Sequence, residues 1–216
     1  MKRIVVLASG SGTNLQSLID AVQAGQLHAT IAAVISDRPE AGALRRAEMA
    51  GIPAVTVPLQ DRRCAAARVA FEQRLADEIN AFAPDLLVLA GWMLILGQPV
   101  LKHYQGRVIN VHPALLPDGP DDEIESSCGV VPVLRGAHAV RDALRRGLPL
   151  TGATVHVVTP VVDTGPVLLR EEVPILQGDD QVRLHERIKQ VEHRLLPRAV
   201  ALALANQDGE ESSWRV

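Results

Sequence analysis

The chain alternates short apolar runs with longer segments in which apolar residues recur every three or four positions. Unbroken apolar runs are typical of strands buried on both faces, and the longer spacing is typical of helices packed on a sheet. The runs predict strands at about residues 3–8, 30–36, 54–57, 85–90, 107–111, 153–158 and 167–173. The spacing predicts helices at about residues 14–24, 41–50, 62–82, 137–146 and 179–206, the last interrupted or bent at Pro197.

Alternating strands and helices predict an α/β fold, with a doubly wound and mostly parallel sheet. The length of 216 residues suits one compact domain with a substantial core. The sequence contains no internal repeat and no linker that would divide it. We therefore expect a single domain over residues 1–216, ending in a polar tail from about residue 206.

Composition narrows the classes of function. Aromatic residues make up only 2% of the chain, so Leu, Val, Ile and Ala must fill the core. The net charge of −3 gives no basis for broad nucleic-acid binding, and the N-terminal apolar run is too short for a signal sequence or a membrane span. Cys64 and Cys128 lack metal-site spacing. We expect a cytoplasmic protein with reduced thiols and no metal.

Residues 9–14, Ser-Gly-Ser-Gly-Thr-Asn, lie between the first predicted strand and the first predicted helix. Glycines allow a ligand to approach the backbone, and a helix N-terminus offers free N–H groups and a positive dipole end. This loop therefore predicts a phosphate site. It matches neither the dinucleotide nor the P-loop pattern. The alternative is a tight turn in which Thr13 caps the helix.

Two further candidate groups of functional residues follow later predicted strands. Asn110 and His112 are one residue apart at a strand end, so their side chains point to the same side. An amide and a protonated imidazole are both donors that can hold an oxyanion. The alternative interpretation is a structural pair that ends the strand. Asp163 lies in a Pro- and Gly-flanked loop. Its carboxylate would orient and charge His112 if they meet, and otherwise it caps a turn.

Five segments in the same order resemble the folate-dependent formyltransferases. They are residues 5–16, 89–96, 110–117, 151–156 and 163–166, and the resemblance extends from about Ile4 to Pro197. It implies a Rossmann-like formyltransferase fold. It also implies that 10-formyltetrahydrofolate donates a formyl group to the amine of glycinamide ribonucleotide in purine biosynthesis.

The resemblance assigns roles to residues at matching positions. Asn110 and His112 would stabilise the oxyanion, while Asp163 keeps His112 charged and helps to relay a proton. His156 is a possible supporting residue. The expected ligands of the ribonucleotide phosphate and ribose are Ser11, Gly12, Thr13, Asn14 and Glu192. The expected folate-binding residues are Arg68, Gly91, Met93, Leu94, Ile95 and Leu96.

The chain departs from the family pattern at two places. Leu94 occupies a position where the family usually has an arginine that meets the glutamate tail of the folate. Residues 118–135 form an acidic, turn-rich insertion between Pro117 and Gly136, which we expect to be an exposed, mobile loop. Such a loop would serve as a lid, narrow the choice of acceptor, contact another subunit, or simply be tolerated.

Three alternatives remain open at the level of sequence. The first is a formyltransferase whose acceptor is methionyl-tRNA or an amino-sugar nucleotide, although the basic surface and extra domain typical of those enzymes are not evident. A formyltetrahydrofolate hydrolase and an inactive folate- or nucleotide-binding relative are the others. For the leading interpretation we expect small-molecule substrates, no nucleic acid, no membrane contact, and a monomer or homodimer.

Overall fold

The computed structural model describes residues 1–206, so the predicted polar tail lies almost wholly outside the described residues. The strands are β1 (Lys2–Leu7), β2 (Ala29–Ser36), β3 (Ala54–Thr56), β4 (Leu86–Leu89), β5 (Val108–His112), β6 (Glu123–Ser126), β7 (Gly129–Pro132), β8 (Leu150–Val157) and β9 (Val167–Pro174). The helices are α1 (Thr13–Gln23), α2 (Gly42–Met49), α3 (Ala65–Ala81), α4 (Gln98–Leu101), α5 (Ala139–Arg145) and α6 (Gln181–Asn206).

Seven strands form one sheet in the order β3-β2-β1-β4-β5-β8-β9. The first five in that order are parallel, whereas β8 is antiparallel to β5 and β9 is antiparallel to β8. The prediction of a doubly wound, mostly parallel sheet is confirmed. Strand order reverses between β1 and β4, and ligands of such folds bind in the crevice beyond the carboxyl ends of the strands at that reversal.

Apolar residues cover both faces of the sheet. One core includes α1 and α6 against the sheet, with Leu18 and Leu196 fully buried. The other includes α3 and α4, with Phe71 and Ile79 buried. Helix α6 continues through Pro197, so the expected interruption there is wrong. Burial of its apolar face compensates for the hydrogen bond that proline cannot donate.

The insertion, expected to be an exposed and mobile loop, contains a hairpin with two buried residues, so it is not exposed throughout. Strands β6 and β7 pair as an antiparallel hairpin with Glu123 opposite Pro132. Ile124 and Val131 are buried against Leu115 and Leu150, while the acidic side chains between them face solvent. The hairpin forms because one apolar residue on each strand points to the same side and finds a core to pack on.

No helix within residues 1–206 combines the length and the apolar character needed to cross a membrane. Most predicted elements agree with the structure to within a few residues. The largest shifts are at α3, which begins at Ala65 rather than near residue 62, and at β8, which begins three residues earlier than expected. The short helix α4 was not predicted.

Candidate active site

A cavity of about 640 Å³ opens beside the carboxyl ends of β1, β4 and β5. This volume is typical of small-molecule sites. Its walls come from the loops after those strands, the β8–β9 loop and one face of α6. The predicted site residues that line it are Ser11, Gly12, Thr13, Asn14, Gly91, Met93, Leu94, Ile95, Leu96, Asn110, His112, His156, Asp163 and Glu192. The structure thus brings together all of the predicted residues except Arg68.

The loop of residues 9–14 ends in a tight turn at Gly12, which has a φ of 76°. A Cβ atom at Gly12 would lie 2.6 Å from the Cα of Ala43, so only glycine fits there. The first helical bond of α1 runs from the N–H of Gln16 to the carbonyl of Gly12. The N–H groups of the first turn therefore have no partner within the helix and are available to an anion in the cavity.

Three basic side chains that sequence reasoning did not select also line the cavity, namely Arg38, Arg141 and Lys189. Each has a carboxylate within 4 Å, from Asp37, Asp142 and Glu186 respectively, which partly offsets the positive charge that they bring to the cavity wall. Lys189 lies three residues before Glu192 on α6. Residues at this spacing share a helix face, so the prediction of Glu192 as a site residue could have identified Lys189 as well. His138 and His185, which carried no signal in the sequence, also reach the cavity wall.

Glu192 points from α6 to the N-terminus of α1. Its Oε2 accepts a hydrogen bond of 2.9 Å from Nδ2 of Asn14, and only 3% of Glu192 is exposed. Burial raises the pKa of the Glu192 carboxyl, against the lowering effect of the Asn14 bond. The Oδ1 atom of Asn14 is buried and has no partner among the described residues. This pair offers polar groups for ligand hydroxyls.

His112 is almost fully buried, and both of its ring nitrogens face protein atoms. Nε2 lies 2.7 Å from the carbonyl oxygen of Leu134, and because a carbonyl only accepts, Nε2 carries a hydrogen. Nδ1 lies 3.4 Å from Oδ2 of Asp163. Nδ1 is therefore the nitrogen of His112 that gains or loses a proton.

Burial lowers the pKa of His112 below its usual value, although the charge of Asp163 and the bond to Leu134 act in the opposite direction. His156 and Arg135 lower the pKa further through their charges. The neutral imidazole is consequently favoured at pH 7 in the ligand-free site.

Asp163 has a φ of 54°, the left-handed conformation that few residues other than glycine adopt. Its Oδ2 accepts a 2.7 Å hydrogen bond from the N–H of Gly136. Burial would raise the pKa of the carboxyl, but the hydrogen bond with the His156 side chain, the interaction with the His112 ring and the Gly136 bond bring it to about 2. The carboxylate is therefore ionised at neutral pH.

Asp163 approaches His112 from a side that a purely parallel sheet would not provide. All three motifs follow predicted strands, and parallel strands would bring them to one edge of the sheet. Strand β8 is antiparallel, and its last residue, Val157, pairs with Ile109 in the interior of β5. The loop after β8 then turns back, so that the carboxylate comes beside His112 from the opposite direction.

Asn110 and His156 are opposite each other on β5 and β8. Nδ1 of His156 lies 3.0 Å from the carbonyl of Val157 and so carries a hydrogen. In the neutral ring Nε2 then accepts from Nδ2 of Asn110, 3.2 Å away. Because an amide nitrogen carries two hydrogens, Asn110 retains one donor for a ligand. His156 thus orients the amide.

The segment of residues 91–96 forms an apolar wall of the cavity. It is joined to the anion loop, because the N–H of Met93 donates to Oγ of Ser9 and the N–H of Ser9 donates to the carbonyl of Gly91, both at 3.0 Å. Leu94 lies in this wall. An apolar wall with main-chain polar groups suits a flat heterocycle.

Arg68 lies on α3 outside the cavity lining. Its Nε donates to the carboxylate of Glu72 at 2.6 Å, and its Nη2 donates to the carbonyl of Ile95. It therefore supports the apolar wall from behind rather than facing a ligand directly. Among the described residues, no group of His, Cys, Asp and Glu side chains is arranged to hold a metal ion.

An amide, an imidazole and a carboxylate converge beside a loop with free N–H groups on an α/β sheet, and this set of groups is suited to acyl transfer. A family model described as formyl transferase matches residues 2–200. Because it covers most of the sequence, the chain belongs to the formyl transferase family. It is a formyltransferase, and enzymes of this family act on small molecules with a formyl-folate as co-substrate.

Individual relatives agree with this assignment. The chain is 45% identical to phosphoribosylglycinamide formyltransferase of Mycobacterium tuberculosis over 199 residues, which is 92% of this chain and 83% of that protein. It is 38% identical to the Escherichia coli enzyme of the same name over 92% of this chain and 85% of that protein. The crystal structure of glycinamide ribonucleotide transformylase 1 from Symbiobacterium toebii superposes with a TM-score of 0.83 at 38% identity, covering 95% of this chain and 89% of that one.

Proposed function

We propose that the protein transfers the formyl group of 10-formyltetrahydrofolate to the amine of glycinamide ribonucleotide, a step of purine biosynthesis. The observation that carries the proposal is a single cavity that joins an anion-binding loop, the Asn110–His112–Asp163 group and an apolar wall. When the two substrates are aligned for reaction, the phosphate would lie at the loop, the amine at the Asn110–His112–Asp163 group and the formyl-bearing heterocycle at the apolar wall.

The phosphoribosyl part of the acceptor occupies one end of the cavity. The N–H groups of Gly12, Thr13 and Asn14 hold the phosphate, and Lys189 adds positive charge. Glu192 accepts hydrogen bonds from the ribose hydroxyls. These contacts anchor the acceptor far from the reacting amine, so that binding energy serves to orient it.

The formyl donor binds against the apolar wall of residues 91–96, beside Asn110. The amine nitrogen attacks the formyl carbon and gives a tetrahedral intermediate with a negatively charged oxygen. The free N–H of the Asn110 amide donates to that oxygen. Collapse of the intermediate breaks the bond between the formyl carbon and N10 of the folate, and tetrahydrofolate leaves.

His112 and Asp163 accept and transfer the proton that the attacking amine loses. As the amine attacks, it loses a proton, which the His112–Asp163 pair accepts at Nδ1 of His112 because Nε2 is already bonded to Leu134. The ionised Asp163 stabilises the resulting imidazolium, and this cation adjacent to the oxyanion lowers the energy of the intermediate further. The proton is then delivered to N10, so the number of protons is conserved.

Tetrahydrofolate release with and without glycinamide ribonucleotide tests the proposal. Release that depends on the ribonucleotide supports it, whereas equal release in its absence identifies a hydrolase and no release identifies a binding protein. Glycinamide riboside, which lacks the phosphate, provides a matched acceptor. We expect its KM to be much higher than that of the ribonucleotide, and equal KM values would contradict the anion-loop assignment.

The chain lacks a free basic side chain at the positions expected to meet the glutamate tail of the donor. Leu94 supplies no charge, and Arg68 is neutralised by Glu72. We therefore propose that the enzyme distinguishes weakly between donors with one and with several glutamates. KM values for the two donors that differ by orders of magnitude would contradict this.

A further inference from the structure

Where the insertion ends, the main chain of residues 134–136 contacts His112 through Leu134 and Asp163 through Gly136. The carbonyl of Leu134 accepts the hydrogen of His112 Nε2 at 2.7 Å. The N–H of Gly136 donates to Asp163 Oδ2, also at 2.7 Å. The positions of both acid–base side chains therefore depend on where the backbone of residues 134–136 lies.

Arg135, the residue between these two contacts, joins three parts of the chain. Its Nε donates to the carbonyl oxygen of Asp163 at 3.3 Å. Its Nη1 donates to the carboxylate of Asp122 at 3.0 Å, and its Nη2 donates to the carbonyls of Asp121 at 2.6 Å and Gly119 at 3.4 Å. The guanidinium thus connects the beginning of the insertion, its end and the β8–β9 loop.

The hairpin that precedes this segment is fixed to the sheet at its base and at its tip. Ile124 and Val131 are buried near the base, in a cluster with Leu115. At the tip, the N–H of Ser127 donates to the carboxylate of Glu172 on β9 at 2.8 Å. The insertion is therefore supported by the antiparallel part of the sheet, and it provides a fixed point for Arg135.

We propose that Arg135 is a positioning residue for formyl transfer, which fastens the backbone of residues 134–136 to the Asp163 loop and so aligns His112 with Asp163. The β6–β7 hairpin supports this attachment. The activity readouts below rest on the proposed function, whereas the spectroscopic readout does not. An arginine suits the role because its planar group donates in several fixed directions at once, which a lysine ammonium does not reproduce.

The first test compares Arg135→Ala and Arg135→Lys with the wild type. We expect both variants to lower kcat by about tenfold to a hundredfold, the range produced by a displacement of roughly 1 Å. The KM values for both substrates should stay unchanged, because the anion loop and the apolar wall are intact. Wild-type kcat in the folded Arg135→Lys protein would overturn the proposal.

Arg187→Ala is the matched control. Arg187 has a similar exposure, donates to the carboxylate of Asp179 at 2.6 Å and also bonds a main-chain carbonyl, but its partners are Asp179 and Pro174 rather than the Asp163 loop. Its loss should lower the melting temperature without changing kcat. An equal loss of kcat in this control would show that the effect of Arg135 is one of general stability.

The second test follows the proton resonances of the Gly136 amide and the His112 ring. The charged and titratable groups that face His112 are Asp163, His156 and Arg135. Arg135→Lys keeps the positive charge but loses the alignment, so the pKa of His112 should fall in this variant, because the charge of Asp163 and the bond to Leu134 raise that pKa. The Gly136 amide resonance should shift in both variants as its bond to Asp163 weakens.

These measurements separate the two proposals. A wild-type protein with no formyl transfer would refute the proposed function, while the Gly136 and His112 resonances would still decide whether Arg135 holds the segment. Unchanged resonances in a folded variant would overturn the positioning role even if turnover fell. If Arg135→Ala does not fold, Arg135→Lys carries both tests by itself.

Discussion

Replacement of Asp163 by asparagine changes the charge beside His112 and little else. Asparagine has the same shape, and it tolerates the φ of 54° better than most residues. Its amide oxygen still accepts the N–H of Gly136. The variant should therefore fold, and any loss of turnover reports the missing carboxylate charge.

The magnitude follows from the geometry of the pair. Nδ1 of His112 and Oδ2 of Asp163 are 3.4 Å apart, and their side chains are only 5% and 9% exposed. Coulomb's law with an effective dielectric constant of about 20 gives roughly 5 kcal/mol for an imidazolium and a carboxylate at this distance. If the amide dipole of Asp163→Asn recovers part of this, a remaining loss of about 3 kcal/mol lowers kcat by about two orders of magnitude.

The assay is tetrahydrofolate release at saturating substrates, followed from pH 5 to pH 9. Asp163 raises the pKa of His112, so its removal lowers that pKa further. Because the neutral ring accepts the proton, the acid limb of kcat/KM should move to lower pH in Asp163→Asn while the plateau falls. Turnover within a few-fold of wild type, or an acid limb that moves to higher pH, would refute the reasoning.

Asp179→Asn is the control for this prediction. Hydrogen bonds from Arg187 and the Leu176 N–H bring the pKa of Asp179 to about 2, like that of Asp163, but Asp179 does not line the cavity. Each carboxylate stabilises the fold above pH 4, and this stabilisation is lost as the pH falls through the folded pKa. Both variants should therefore lose acid-dependent stability, and only Asp163→Asn should lose turnover.

The remaining predictions concern the oxyanion donor, the anion loop and the ribose contact. Asn110→Ala should lower kcat by about a hundredfold to a thousandfold with little change in KM, and a kcat near that of the wild type would contradict the donor role. Gly12→Ala should abolish ribonucleotide binding measured by calorimetry, whereas Gly25→Ala, with a φ of 70° but open space around it, should lose only stability. Burial raises the folded-state pKa of Glu192, so its carboxylate destabilises the fold once the pH exceeds 4.5. Glu192→Gln should therefore raise the melting temperature at pH 7, not at pH 4, and should weaken ribonucleotide binding; an unchanged KM would exclude the ribose role.

The parallel part of the fold was predictable from sequence because its strands are buried on both faces. Residues 3–8 and 85–90 read as continuous apolar runs, and the loops after them were placed correctly at one edge of the sheet. The direction of each strand was harder to predict from the sequence. Strand β8 is buried along its whole length, as parallel strands usually are, so its antiparallel pairing left no mark in the pattern.

The hairpin in the insertion could not be predicted from the composition of that segment. Its acidic residues and glycines dominated the composition, whereas the hairpin depends on two apolar positions, Ile124 and Val131, and on the surface that accepts them. That surface includes Leu150, which is distant in sequence. The contacts of Leu134 and Gly136 use main-chain atoms, which every residue possesses. No pattern of side chains could have revealed them.

The paired bonds of Ser9 have a consequence for inhibitor design. Through its N–H and its hydroxyl, Ser9 ties the loop that receives the phosphate to the wall that receives the heterocycle. The two half-sites are therefore preorganised relative to each other. A bisubstrate compound that spans both would meet a surface already set in its bound shape, and would lose little affinity to rearrangement of the protein.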